Sequence, residues 1–184
     1  MPTPPVSIKE YGPLYPINTW TSLIYIIIAP FIINKCKFTS FISICMGIVS
    51  FLWWYSQNNY IQLLDLSLIT YLFIWPYLFI TNISSRIQLS ILILIISCIF
   101  VDYIFVDYNF NFRYFLPKIH TCFVSISGYS LLKHNLYIHV LLFIIGSLIK
   151  WYITIYGTGI FHIITGITIF LITNKNKTKI TLIT

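Results

Sequence analysis

Apolar runs separated by short polar connections make up most of this chain. Seven stand out, at approximately residues 19–33, 38–54, 66–80, 87–106, 116–132, 136–155 and 159–172. Several are nearer 15 residues than the ~20 that a helix needs to cross the hydrocarbon of a bilayer, so their ends must draw on flanking aromatic and polar residues. Trp20, Trp53, Trp54, Trp75 and Trp151 fall mostly near run ends, where an amphipathic ring suits a membrane interface. Only 8% of the 184 residues are charged and 58% are hydrophobic, against roughly a quarter charged in a soluble domain. That leaves too little polar surface to cover a water-exposed globule. The expectation is an all-α polytopic membrane protein, a single seven-transmembrane-helix bundle over residues 1–184. Residues 1–17 would form an extracytoplasmic segment and residues 174–184 a basic cytoplasmic tail. No repeat or linker interrupts the chain.

Charge placement predicts the orientation. With seven spans, one face receives Lys35, Lys37, Arg86, Lys133, Lys175, Lys177 and Lys179 and no acid. The other receives Lys9, Arg113, Lys118 and Lys150 together with Glu10, Asp65, Asp102 and Asp107. The excess of bases marks the cytoplasmic side, so the N-terminus is expected outside and the C-terminus inside. The +7 net charge does not point to nucleic acid, because no stripe of Lys and Arg interleaved with aromatics exists for a phosphate backbone to follow. Cys36, Cys45, Cys98 and Cys122 lack CxxC spacing and predict neither a disulfide framework nor a structural zinc site. The first sixteen residues are Pro-rich without an apolar core, so no cleavable signal peptide is expected.

The seven-span topology carries a consequence. The end of span two with Ser50, the start of span three with Asp65, the start of span seven with His162, and the N-terminal Glu10 and Asn18 all fall at one membrane face. Polar and ionisable groups there are costly and mark a candidate site. Each has a plain alternative. A helix serine often bonds the carbonyl four residues back, a carboxylate at a span entrance can be a solvated interfacial charge, and a single histidine can be a packing residue. His120 begins span five on the same face and is eligible for the same cavity, whereas His134 and His139 lie near the opposite face. Ser50 and Trp54, like Thr158 and His162, are four apart and share a helix face.

At these residues the sequence resembles the alkaline ceramidase family, within the wider group of seven-span hydrolases that includes the adiponectin receptors. Three stretches carry the resemblance. Glu10-Tyr11-Gly12-Pro13, followed by Pro16-Ile17-Asn18-Thr19-Trp20-Thr21-Ser22-Leu23, is similar to the family's acidic lead-in and start of span one. Ser50 and Asp65 keep the family's fifteen-residue spacing within Gly47 to Asp65, which ends in Gln62-Leu63-Leu64-Asp65. Gly157 to Leu171 is similar to the His-x-x-x-His-Ile-Leu-Thr-Gly start of span seven. The resemblance implies a zinc ion held by three imidazoles, with the Ser and Asp completing the site and the metal activating water against an amide carbonyl. Ser50, Asp65 and His162 are retained. The other two imidazole positions are Trp54 and Thr158, whereas a catalytic zinc usually has three protein ligands. A family calcium site would fall to Glu10 and Asn18, and one carboxylate is poor provision for a cation that takes six to eight oxygens.

The expected function is therefore binding of a ceramide-like amide lipid between the helices, with a degraded metal site, no tightly held cofactor and weak or no hydrolysis. One rival is an active amide hydrolase whose zinc is re-coordinated by His120, His162 and Asp65. Another is a proton or ion pathway through Asp65 and His162.

Overall fold

The computed structural model describes residues 16–105, 112–152 and 157–175. Glu10, Asp107 and the sequence beyond Lys175 lie outside the described residues. Eight helical segments follow one another: α1 (Pro16–Thr21), α2 (Ile24–Ile32), α3 (Lys37–Ser56), α4 (Asn59–Ile80), α5 (Ser85–Phe105), α6 (Phe112–Lys133), α7 (Tyr137–Tyr152) and α8 (Gly157–Lys175). There is no strand among the described residues.

Local chemistry sets the helix ends. Asn58 caps α4, its Oδ1 accepting from Tyr60 N at 2.9 Å and Ile61 N at 3.3 Å. Such a cap satisfies amides that the first turn would leave without partners. Gln57 adopts φ 54° and closes α3 through its amide to the Trp53 carbonyl at 2.8 Å. The α3–α4 connection is thus two residues long and the helices run antiparallel. Asn82 and Asn135 take φ 55° and 57° just past α4 and α6. Ile83 N reaches back to Leu78 O and Leu136 N to Leu131 O, at 3.0 and 2.9 Å. These are two copies of the left-handed helix stop in which Asn can stand in for Gly.

Two boundaries differ from the hydropathy reading, each for a local reason. Because Asn58 starts α4 well before residue 66, Asp65 lies in the second turn of a helix and is buried, not at an exposed span entrance. The first apolar run, Pro16–Ile32, is one helical stretch broken by a tight turn. Ser22 Oγ donates to the Thr19 carbonyl at 2.6 Å. Leu23, Tyr25 and Ile26 amides then bond three residues back instead of four, the tighter geometry of a 3₁₀ turn. That turn separates α1 from α2.

α4 is the hub. Ser67 through Pro76 are all buried, as expected of a helix enclosed on every side. Against it pack α3, α5 and α6; α6 leads to α7, α7 to α8, and α8 closes back onto α1 and α2. Tyr71, Phe73, Trp75, Met46, Leu131, Phe161 and Ile172 form the tightest part of the core. Polar side chains fasten the helices from within. Ser40 Oγ donates to Ala29 O at 2.9 Å beside Pro30, and Ser127 Oγ to Phe73 O at 2.6 Å near Pro76. Trp75 Nε1 donates to Thr39 Oγ1 at 3.2 Å and Tyr71 OH to Gln88 Oε1 at 2.9 Å.

The outside is apolar: Trp20, Phe31, Leu94 and Ile138 are each more than 60% exposed. Three helices among the described residues are long and apolar enough to cross a membrane: Lys37–Ser56, Asn59–Ile80 and Thr158–Lys175. Pro16–Ile32, Ser85–Val101 and Tyr137–Gly146 are apolar but shorter.

Close approach of backbones locates the broken first element. A Cβ added at Gly47 would sit 2.5 Å from Ile26 Cγ1 and 3.2 Å from the Ile26 backbone nitrogen. At Gly159 it would meet Ile17 Cγ2 at 2.9 Å and Asn18 Oδ1 at 3.0 Å, and at Gly166 Ile24 Cγ1 at 2.9 Å. Glycine allows helix surfaces to touch where hydrocarbon offers little drive for association. Gly128 has nothing within 4 Å. Gly47→Ala is expected to destabilise the fold by about 1–3 kcal/mol through overpacking. Gly128→Ala should be neutral or stabilising by up to about 1 kcal/mol from helix propensity. Thermal melts in one detergent compare the two, and equal melting temperatures would refute the close-approach account.

Candidate functional site

The chain's threonines set the pattern of the site. A helical Thr can donate its single hydroxyl proton to the carbonyl four residues back, and its lone pairs then remain to accept from elsewhere. Thr21 donates to Ile17 O at 2.6 Å, Thr165 to Phe161 O at 2.7 Å and Thr70 to Leu66 O at 2.7 Å. Each of the three then meets a buried polar ring group on another helix.

Thr21 Oγ1 lies 3.4 Å from His162 Nδ1. With its proton held by Ile17, Thr21 is the acceptor and Nδ1–H the donor. In the neutral ring the other nitrogen, Nε2, is then unprotonated; it lies 3.3 Å from Ser50 Oγ, and the serine hydroxyl donates to it. Ser50 departs from its neighbours here. Ser56, Ser67, Ser90 and Ser125 all donate to carbonyls four residues back, whereas Ser50 turns across to α8. Ser50 and His162, 112 residues apart in sequence, are both 0% exposed.

Tyr25 completes this side of the bundle. Its ring stands edge-on to His162 with centroids 5.7 Å apart. Its hydroxyl donates to Thr165 Oγ1 at 2.5 Å, the direction set by Thr165's own bond to Phe161. Asp65 is 4% exposed on α4, within electrostatic range of the Tyr25 hydroxyl. α1, α2, α3, α4 and α8 therefore each supply a polar side chain to one interior region.

The remaining sequence candidates are placed differently. His120 is buried on α6, where its Nε2 lies 2.9 Å from Thr70 Oγ1 and its ring packs 4.7 Å from Phe73. By the same reasoning Thr70 accepts and His120 carries its proton on Nε2, the opposite tautomer to His162. A chain of ring contacts runs from His120 through Phe73 and Phe161, 5.9 Å apart, to His162. Trp54 and Thr158 are half-buried, one turn nearer the helix ends than Ser50 and His162. The Trp54 ring packs beside Trp53 at 6.0 Å. Asn18 is buried against Gly159; Glu10 lies outside the described residues.

Among the described residues no three His, Cys, Asp or Glu side chains form a group able to hold a metal. Both nitrogens of His162 are engaged by hydroxyls. Indole and hydroxyl groups occupy the two positions where the resemblance implies imidazoles. No family model, curated protein or solved structure matches the chain.

Sequence reasoning assigned no role to Thr21, Tyr25 or Thr165. The signal was present: Thr21 and Tyr25 are four apart and His162 and Thr165 three apart, so each pair shares a helix face. The Tyr25–Thr165 bond should be measurable by a double-mutant cycle. Tyr25→Phe and Thr165→Val are each expected to lower stability, with a coupling of about 0.6–1.7 kcal/mol, the span for hydrogen bonds between membrane helices. Additive effects in reversible unfolding would remove this bond from the account.

Proposed function

We propose that this chain is a seven-span membrane protein with a ceramidase-like core that binds a single acyl-chain amide lipid, its metal centre given up for a hydrogen-bonded cluster. The observation that carries the reading is the meeting of Ser50 and His162 at 3.3 Å across 112 residues, with Asp65 buried on the adjacent helix. Those are the three polar residues that the resemblance retains. Polar groups inside a bundle are costly to keep without a use. The three membrane-length helices and the apolar exterior support insertion. The remaining shorter apolar helices span by drawing on their interfacial aromatic and polar ends. The N-terminus lies outside and the C-terminus in the cytoplasm, following the segregation of bases.

Zinc-dependent hydrolysis is absent in this reading, because the ion would need ligands that Trp54 and Thr158 cannot supply. Restoration tests it. The parent should carry less than stoichiometric zinc after purification, and Trp54→His combined with Thr158→His should take up one ion per chain. If the parent holds one zinc and loses it on His120→Ala, the re-coordinated hydrolase is the better account. Lipid binding is read separately with a photoactivatable ceramide in proteoliposomes. Saturable cross-linking to α3 or α8, competed by unlabelled ceramide, is expected; its absence would sink the lipid reading.

Orientation has its own check. Asn82-Ile83-Ser84 forms a glycosylation sequon on the face assigned to the cytoplasm, so Asn82 should stay unmodified in a eukaryotic membrane. A glycan there would reverse the topology.

A further inference from the structure

We infer that Ser50 and His162 form a metal-independent nucleophile–base pair that captures the acyl group of the bound lipid as a serine ester. The inference rests on the lipid-binding reading and adds chemistry to the same site.

The hydrogen bonds prepare the pair for this step. A hydroxyl becomes a useful nucleophile when an adjacent base accepts its proton and a third group orients that base. Ser50 Oγ stands 3.3 Å from His162 Nε2, at the looser end of the range seen before substrate is bound. Thr21 holds Nδ1–H from the far side at 3.4 Å, with its own proton committed to Ile17 O at 2.6 Å. The bare nitrogen therefore faces the serine. Tyr25 packs edge-on against the imidazole and limits its rotation. Ser50 also lacks the bond to the carbonyl four residues back that Ser56, Ser67, Ser90 and Ser125 make.

An apolar seam for an acyl chain lies further along α8. On the seam between α2 and α8, Ile28, Phe31, Ile167 and Phe170 line an apolar groove of ≈ 230 Å³. Ile167 and Phe170 follow His162 by five and eight residues, which places the groove roughly 8–12 Å along the helix from the imidazole at a rise of about 1.5 Å per residue. Half-buried Trp54 and Thr158 lie one turn nearer the ends of α3 and α8 than the pair.

The balance is that of acyl transfer. Ser50 Oγ bonds to the carbonyl carbon as the bond from that carbon to the amide nitrogen or ester oxygen breaks. The serine proton passes to His162 Nε2 and from there to the departing amine or alcohol. Water then attacks the serine ester, giving its proton to His162, which returns it to Ser50 as the fatty acid leaves. Both side chains are 0% exposed, so water reaches the ester slowly. Stoichiometric acylation with little steady-state turnover follows.

The test uses the full chain in proteoliposomes with a long-chain alkyl fluorophosphonate, in the presence of a zinc chelator. One adduct per chain on Ser50, mapped by peptide mass spectrometry, is expected. His162→Gln should slow labelling by roughly 100-fold or more, the lower bound for losing a general base. Thr21→Val, which leaves both partners in place, should slow it to a smaller extent. Wild-type mapping needs no variant, so a misfolded substitution does not remove the test. Saturable ceramide cross-linking without a Ser50 adduct overturns this inference and leaves the lipid reading standing. An adduct on another residue, or one that forms at an unchanged rate in folded His162→Gln, also overturns it. Loss of ceramide cross-linking with the Ser50 adduct retained overturns the lipid reading and with it the acyl-lipid substrate assigned here.

Discussion

The interior of this protein depends on how closely its broken first helix approaches α3 and α8. Gly47, Gly159 and Gly166 each leave less room than a methyl group requires, and the neighbours they admit are Ile26, Ile17 with Asn18, and Ile24. Contact at that range sets the depth and rotation of α1 and α2 together. With those fixed, Thr21 comes to His162 and Tyr25 to Thr165. Were the first element an angstrom further out, both hydrogen bonds would lengthen beyond useful geometry. The 3₁₀ turn at Ser22 and Leu23 is part of the same arrangement, because it lets α1 lie against Gly159 while α2 follows Gly47 and Gly166.

Back-bonded threonines give the polar interior its direction. A buried imidazole between two hydroxyls has two neutral tautomers, and in a low-dielectric interior the wrong one costs at least one hydrogen bond. Thr21 and Thr70 remove the choice, because each has given its proton to its own helix. His162 thereby keeps its proton on Nδ1 and His120 on Nε2. Two histidines of similar burial acquire opposite roles: one presents a bare nitrogen to a serine hydroxyl, and the other serves as a donor that fastens α6 to α4.

The helical architecture was legible because apolar runs with short polar connections leave little else to form. The two left-handed stops at Asn82 and Asn135 sit where runs end, and Ser50, Asp65 and His162 stood out as polar residues in apolar surroundings. The start of α4 was placed too late because hydropathy cannot detect a cap: Tyr60, Gln62 and the neighbouring Asn residues lower the apolar signal, yet Asn58 starts the helix there. The division of the first run was hidden for the opposite reason. Nothing in its hydropathy reports that Ser22 will take the Thr19 carbonyl. Thr21, Tyr25 and Thr165 escaped notice since Thr and Tyr are ordinary in membrane helices, and their role comes from pairing across 140 residues or more.

The same cluster supports the proposal that Ser50, Asp65 and His162 can meet without forming a metal site. Zinc needs a nitrogen lone pair from His162, and the hydrogen bonds leave one only on Nε2, where Ser50 donates. Binding an ion there would displace the serine proton and require further ligands from α3 and from the preceding turn of α8. Those positions carry Trp54 and Thr158. An indole nitrogen donates and does not accept, and a neutral hydroxyl is a weak ligand. The imidazole is therefore better satisfied by two hydroxyls than by one underligated cation. The Nε2 lone pair is the base that the proposal sets against Ser50, and the tautomer set by Thr21 is the one such a base requires.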